Sequence, residues 1–478
     1  MRKNLLRFFL LMLAAGILTA CAPAGGDAPR PEPKEGVLTY AALNPLNNEQ
    51  KRAINIFNRT HEDVQIEVLD YSDEGGVDRL LTELTLGWVP DIMDLHHFGK
   101  NGEDRPYLYV GHYVGRNRKP EGAYWLPYRQ MVQKGYLADL WPYIENDPKL
   151  GREAVLEAPL KAAEVDGGLY MLFKDVYINT LAGSESVVGG RDGWTMDELM
   201  ETFSTLPEGA TIMRWNTTRE EMYDTLYGST LDQYIDWEAG RCSFDCEEFR
   251  DMLKFLATFP AEFKTTLTPD EAEEELAWRR LEGRQLLEAV VIDSLKSIVR
   301  TGTTFGEKRV AYVGYPTADG SSGSVFHIPG TVLAMSSACP NKDAAWEFMG
   351  YLVRQTYSRE QIDGMRFWSD DPIRIALPVN RQNFEIGNTA DIKRDTRLYY
   401  SMEAFPGGPL IETLPPTEED IQPFEALINN TKQIYWPNEA LSDTVWDAIG
   451  PYFAGDKTLD ETIQLVQNRV TLYVNENR

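Results

Sequence analysis

Cysteine and histidine are scarce in this chain, with 4 and 5 copies in 478 residues. Cys242-x3-Cys246 has neither a second cysteine pair nor the nearby histidines that a tetrahedral zinc site would need. A short disulfide and two free thiols both remain open there, and Cys339 is expected to be unpaired. The adjacent His96 and His97 find no third ligand at a usable spacing, so no metal is expected, and they read as a loop pair facing ligand or solvent. Basic charge is short as well. Lys and Arg number 47 against 74 Asp and Glu, for a net charge of −27. That excludes the basic surface nucleic acid requires. Nowhere does an apolar run reach the about 18 residues of a membrane-spanning helix. The Gly-x-Ser-x-Gly elbow, the His-Glu-x-x-His zinc helix and the Gly-x-x-x-x-Gly-Lys-Ser/Thr phosphate loop are missing, and no cofactor is expected.

What is present is enough to fold: 43% of the residues are apolar and 11% aromatic. At the start, Arg2, Lys3 and Arg7 flank an apolar run from Phe8 to Leu18. At about 11 residues it falls short of the about 20 a bilayer span needs, and it reads as the core of a signal peptide. Leu18-Thr19-Ala20-Cys21 then resembles the lipobox of bacterial lipoproteins. The resemblance implies a diacylglyceryl group on the Cys21 thiol and cleavage before it, with residues 1–20 as the signal peptide. Losing its three basic residues would leave 458 residues at −30. Residues 21–35 hold the lipidated cysteine and a flexible tether with four prolines and two glycines.

Regular periodicity begins at 37–42, an apolar strand. A helix follows with Ile54 and Phe57 on one face, then an alternating strand at 64–69, a helix near 76–86 with Leu80, Leu81 and Leu84 inward, and a strand at 90–95. Strand and helix alternating in this way predict an open, largely parallel α/β sheet. Further on, Thr195 with Glu198 forms a capping box. A helix through Phe249, Leu253 and Leu256 stops before Pro260. Strands are expected at 285–292, 310–316 and 331–335, a helix from 340, and mostly helix over the last 60 residues. Residues 99–125, locally basic and without a period, read as an inserted surface lobe.

Four stretches resemble the extracellular solute-binding proteins of bacterial ABC importers, the sugar-binding family 1 that includes maltose-binding protein. They are Ala53-Ile54-Asn55-Ile56-Phe57-Asn58-Arg59-Thr60-His61-Glu62-Asp63-Val64-Gln65-Ile66, Gly87-Trp88-Val89-Pro90-Asp91-Ile92, Asp166-Gly167-Gly168-Leu169-Tyr170-Met171-Leu172, and Pro340-Asn341-Lys342-Asp343-Ala344-Ala345-Trp346-Glu347-Phe348. Glu62 and Phe173 stand where the family usually has proline. The resemblance implies an α/β, two-lobed periplasmic-binding-protein fold of type II, with a hinge and a ligand cleft between the lobes. It places residues 36–160 plus 284–330 in the first lobe, with 99–125 inserted, and 161–283 plus 331–478 in the second. It also implies a binding protein without catalytic residues, monomeric, which delivers a solute, most often a carbohydrate, to ABC permease subunits.

In open α/β sheets, ligands sit beyond the carboxyl ends of strands. That rule nominates Asn44, Tyr71 with Ser72, His96 with His97, and Asp293 with Ser294 as ligand contacts. Sugars offer flat C–H faces and hydroxyl edges, so Trp215, Trp237, Phe326 with His327, and Arg366-Phe367-Trp368 are the stacking candidates. Asp91 and Asp94, in or at the end of a strand, suit capping or ligand hydrogen bonding better than acid–base work. Two other functions remain open: a sensor or interaction lipoprotein on the same fold, and a secreted carbohydrate-active enzyme, which needs two carboxylates about 5–9.5 Å apart. A tether of about 14 residues has a reach of roughly 20 Å, which suits a lipid-anchored protein on the outer face of a Gram-positive membrane.

Overall fold

The computed structural model describes residues 34–98, 123–213, 218–227, 230–262, 279, 282–306, 310–354, 376–393, 398–401, 410–413, 415–435 and 439–477. The signal peptide with Cys21, nearly all of the tether, most of 99–125, Trp215 and Arg366-Phe367-Trp368 lie outside these residues.

The chain begins as its periodicities predict, with β1 (Val37–Ala42) leading into α1 (Asn48–Thr60). Asn47 and Gln50 close a capping box at the head of α1, and Ala53, Ile54 and Phe57 bury one face of it. Then come β2 (Gln65–Asp70), α2 (Gly76–Thr85) and β3 (Ile92–Asp94). Gly76 opens α2 because a Cβ there would sit 1.9 Å from the carbonyl oxygen of Tyr71. A small hairpin pairs β4 (His96–Phe98) with β5 (Ala123–Trp125), so the end of the 99–125 segment folds back on the strand that precedes it. Next are α3 (Tyr128–Gln133), α4 (Glu157–Ala162), β6 (Leu172–Phe173) and, one residue later, the long β7 (Asp175–Ser184).

The main elements that follow are α5 (Met196–Ser204), α6 (Arg219–Tyr227), α7 (Glu247–Leu256), β8 (Leu287–Ile292), α8 (Leu295–Thr304), β9 (Val310–Tyr312) and β10 (Val325–His327). After these come β11 (Val332–Met335), α9 (Lys342–Arg354), β12 (Leu377–Pro378), α10 (Arg381–Lys393), α11 (Ile421–Asn430), β13 (Gln433–Ile434), α12 (Glu439–Phe453) and α13 (Leu459–Asn477). No helix among the described residues is long and apolar enough to cross a membrane.

Two sheets organise these elements. The first runs β2-β1-β3-β11-β6, with β1 parallel to β2 and β3 and with β11 antiparallel to β3 and β6. The second is built on β7. β8, β9, β10 and β12 all pair antiparallel to it, and β13 extends the sheet parallel to β10. Leu38, Tyr40, Phe57, Leu80, Met93 and Phe348 fill the first core, which continues through Ile178, Phe326, Phe384 and Phe424 onto one face of the second sheet. The opposite face carries a separate core of Trp194, Met196, Tyr227, Phe244, Phe249, Val445 and Val466. The chain passes between the sheets at Lys174, at Ile328–Thr331, and again between α9 and β12.

The expected lobe boundaries need correction. Residues 284–330, expected in the first lobe, supply β8, β9 and β10 to the second sheet. Residues 331–354, expected in the second, supply β11 to the first sheet and α9 against α1. β6, expected in the second, also belongs to the first. The cause is β7, ten residues long, which recruits its partners from distant parts of the chain. Periodicity shows that a segment is a strand but not which sheet it joins.

Candidate functional site

Strand direction places the site. β1 and β3 run parallel and end at Leu43–Asn44 and Leu95–His96. The antiparallel β11 begins, and β6 ends, at that same edge, where the chain leaves for the second sheet. There β8, β10 and β13 all run toward the start of β7, which puts Asp293, His327 and Tyr435 at the facing edge. Both sheets thus present strand ends to one interlobe cleft beside the crossings, a general place for ligands.

On the first lobe, Asn44 Nδ2 donates to the His96 carbonyl at 2.7 Å, joining the ends of β1 and β4. The His96 ring stacks on Trp125, centroids 4.3 Å apart and 14° from parallel. From the second lobe, buried His327 stacks with Tyr435 at 5.8 Å. Burial is the main force against charging His96, with repulsion from His327 and His97 added, and its pKa falls to about 3. Burial alone takes His327 to about 4. Both imidazoles are therefore neutral at physiological pH, each with one donor and one acceptor nitrogen. A second interlobe contact lies at Arg129 on α3, whose guanidinium carbon is 5.8 Å from the centre of the Trp237 ring. Trp237 Nε1 donates to Asp232 Oδ1 at 3.3 Å. Burial raises the pKa of Asp232, partly offset by Arg129 and by the indole N–H.

Buried hydrogen bonds hold the first lobe's edge. Tyr40 donates to Asp94 Oδ1 at 2.7 Å, and Asp94 Oδ2 accepts from the Leu43 N–H at 3.1 Å. Burial pushes Asp94 up to about 7 despite these donors. Asp91 accepts from the N–H and the hydroxyl of Thr39 at 2.9 and 2.8 Å, pinning β3 to β1. Both carboxylates serve the sheet.

The candidates fare unequally. Asn44, His96 and His327 lie at the facing strand ends, and Trp237 meets the first lobe separately at Arg129. Asp293 lies at the cleft edge of β8, where its carboxylate accepts from Ser294 Oγ at 2.9 Å and its N–H donates to Ser297 Oγ at 3.1 Å. Tyr71 turns inward: it is buried, donates to Glu83 on α2 at 2.5 Å and carries Arg79 over its ring. Phe326 is fully buried between sheet and helices because its neighbour His327 takes the opposite face of β10. Both are core residues. Trp215 and Trp368 lie outside the described residues. Cys242, Cys246 and Cys339 are free thiols, and Cys242 Sγ contacts Thr471 Oγ1 at 3.2 Å. Among the described residues no three His, Cys, Asp or Glu side chains cluster as metal ligands would. Sequence reasoning missed Trp125, Arg129, Asp232 and Tyr435. Only Trp125 carried a signal, as a large aromatic at the end of the aperiodic segment.

No family model and no curated protein matches the chain. Solved structures do. A periplasmic oligogalacturonide binding protein from Yersinia enterocolitica aligns over 92% of this chain and 100% of its own, at 14% identity and a TM-score of 0.52. A de novo designed cysteine esterase aligns over 92% and 98%, at 14% identity and 0.51. An extracellular solute-binding protein family 1 member from Alicyclobacillus acidocaldarius aligns over 92% and 98%, at 14% and 0.43. At such identities the likeness is one of fold, and it is the two-lobed solute-binding fold with its interlobe cleft. One of the two nearer likenesses binds and the other was designed to catalyse, so the fold leaves chemistry to the site.

Proposed function

We propose that this chain captures a carbohydrate between its lobes and delivers it to an ABC importer, held to the outer face of the membrane through lipidated Cys21. The observation that carries the reading is the composition of the cleft. Flat rings arrive from both lobes, His96 on Trp125 from one and His327 on Tyr435 from the other, with Trp237 at the separate contact to Arg129. Saccharides need ring faces for their C–H surfaces and neutral donor–acceptor groups for their hydroxyls, and uncharged imidazoles supply the second. The carboxylate at hand, Asp232, is engaged by Trp237 and Arg129, which suits holding a hydroxyl better than transferring a proton. The oligogalacturonide binding protein of the same fold supports a sugar ligand. Asn44, His96 and Asp293, all on the cleft edge, are proposed contacts.

A thermal-shift screen of mono- and oligosaccharides tests this reading. A sugar at 100 times its Kd should stabilise the protein by about 2.7 kcal/mol. His327→Ala or Trp237→Ala should abolish that shift, and Asp293→Ala should weaken it. A full panel of sugars without a shift would sink the carbohydrate reading. For the anchor, Cys21→Ser should move the protein from the membrane fraction to the medium; unchanged fractionation would refute it.

A further inference from the structure

Two of the passages between the lobes, at Lys174 and at Thr331, meet on one turn of helix. Lys174, the single residue between β6 and β7, donates from Nζ to both carboxylate oxygens of Glu49, at 2.9 and 3.2 Å. Its carbonyl oxygen accepts from the N–H of Val379, just beyond β12, at 2.8 Å. Thr331 ends the second passage, and its Oγ1 accepts from Gln50 Nε2 at 3.2 Å. Glu49 and Gln50 are consecutive residues of the first turn of α1.

Gln50 is itself held from two sides. Its Oε1 accepts from the Asn47 N–H at 2.9 Å, and its Nε2 also donates to the Tyr40 hydroxyl at 3.0 Å. Tyr40 leads through Asp94 to Leu43 at the cleft edge, so one run of hydrogen bonds links the cleft floor to the crossing. Beside this turn lies a cavity of about 120 Å³, lined by Asn47, Glu49, Lys174, Asp175, Gly330 and Thr331 among others.

We propose that the first turn of α1 is a hinge clamp, in which Glu49 and Gln50 hold the pivot residues Lys174 and Thr331 to the first lobe and so set how far the lobes open. Side chains 23% and 37% exposed make a pair of modest strength. Modest strength is enough to redistribute open and closed states, whose free energies differ by little.

Energy transfer between dyes at Glu62 and Asp456, exposed on opposite lobes, tests this in the full chain without added sugar. Lys174→Met and Thr331→Val should broaden the transfer distribution and lower its mean, while Lys174→Arg and Thr331→Ser should restore both. Glu49→Gln combined with Lys174→Met should shift the mean no further than either alone, since both remove one contact. A merely structural role would lower the urea midpoint and leave the native-state transfer unchanged. That outcome, or additive effects of Glu49→Gln and Lys174→Met, would overturn the clamp and leave the carbohydrate reading standing.

Discussion

Beneath the first lobe's half of the cleft, Tyr40, Asp94 and Gln50 are buried polar groups that hold one another, while beneath the second lobe's half lie Trp194, Met196, Tyr227, Phe244 and Phe249 in close apolar packing. Buried hydrogen bonds are directional and add little net energy; buried rings and methylenes add much energy and little direction. The first lobe thus aims its cleft residues by bonds, and the second supports His327 and Tyr435 by bulk. The largest test of that contrast is Trp194→Ala. Trp194 is fully buried and donates from Nε1 to the Gly314 carbonyl at 3.0 Å. Its loss should cost about 3–5 kcal/mol, read as a fall in the urea midpoint. A cost below about 1 kcal/mol would mean that packing does not carry the second lobe.

Tyr40→Phe is the matching cut in the first lobe. It keeps the ring and its contact with Phe348, and it leaves Asp94 Oδ1 and Gln50 Nε2 each short of a partner. The expected cost is about 1–3 kcal/mol, with a distinctive pH signature. An acid whose folded pKa is raised stabilises the fold below its unfolded value, and that contribution is lost as pH rises through the folded value. For Asp94 the window runs from near 4 to about 7. Without the tyrosine donor its upper edge should move higher. An unchanged pH profile would show that the hydroxyl does not address Asp94.

The second lobe has its own raised acid at the rim of its packing. Burial pushes half-buried Glu248 up to about 7, and Asp197, Asp251 and Glu198 add repulsion. The sign is that of Asp94: stability is lost as pH rises from the unfolded value toward 7. Glu248→Gln keeps an oxygen to accept from the Met196 N–H, now bonded at 2.7 Å, and removes the charge. It should raise the urea midpoint at pH 8, leave pH 4 nearly unchanged, and flatten the slope between. A loss at pH 8 would assign Glu248 a stabilising ionic role instead. His327 works in the opposite sense, because a base held down to about 4 costs stability as pH falls below its unfolded value.

The same contrast explains what the residues gave away in advance. The first 60 or so described residues repeat strand and helix with clean periods, and β1, α1, β2, α2 and β3 stand where those periods put them. The helix after Pro340 was also legible as a motif. Assignment of strands to sheets was not, because β8, β10 and β11 differ in partner rather than in pattern. At the candidate site, the strand-end rule put Asn44, His96 and Asp293 at the facing edges because it follows from direction alone. It failed at Tyr71, where α2 offered Glu83 as a nearer partner, and at Phe326, one residue out of phase with the cleft-facing His327. Arg129 and Asp232 carry no local mark, since only the approach of the lobes makes them neighbours.

The smallest effects give the finest comparison, because a capping box of the same form occurs in each lobe. Thr195 and Glu198 cap α5 at an exposed site, with bonds of 2.8 and 3.2 Å, and Glu198 adds only a 4.0 Å ion pair with Arg191. Thr195→Ala should therefore cost what a cap ordinarily does, about 0.5–1 kcal/mol. Asn47 and Gln50 cap α1 with bonds of 2.9 and 2.8 Å, but this Gln50 also reaches Tyr40 and Thr331. Asn47→Ala frees the glutamine from the geometry that aims its amide at both. It should cost about 1–2 kcal/mol, the excess over Thr195→Ala vanishing in a Gln50→Ala background because the two then share one loss. If the caps prove equal in both backgrounds, the first lobe's bonds do not act as a connected set. The contrast between aiming and support would then rest on Tyr40 and Asp94 alone.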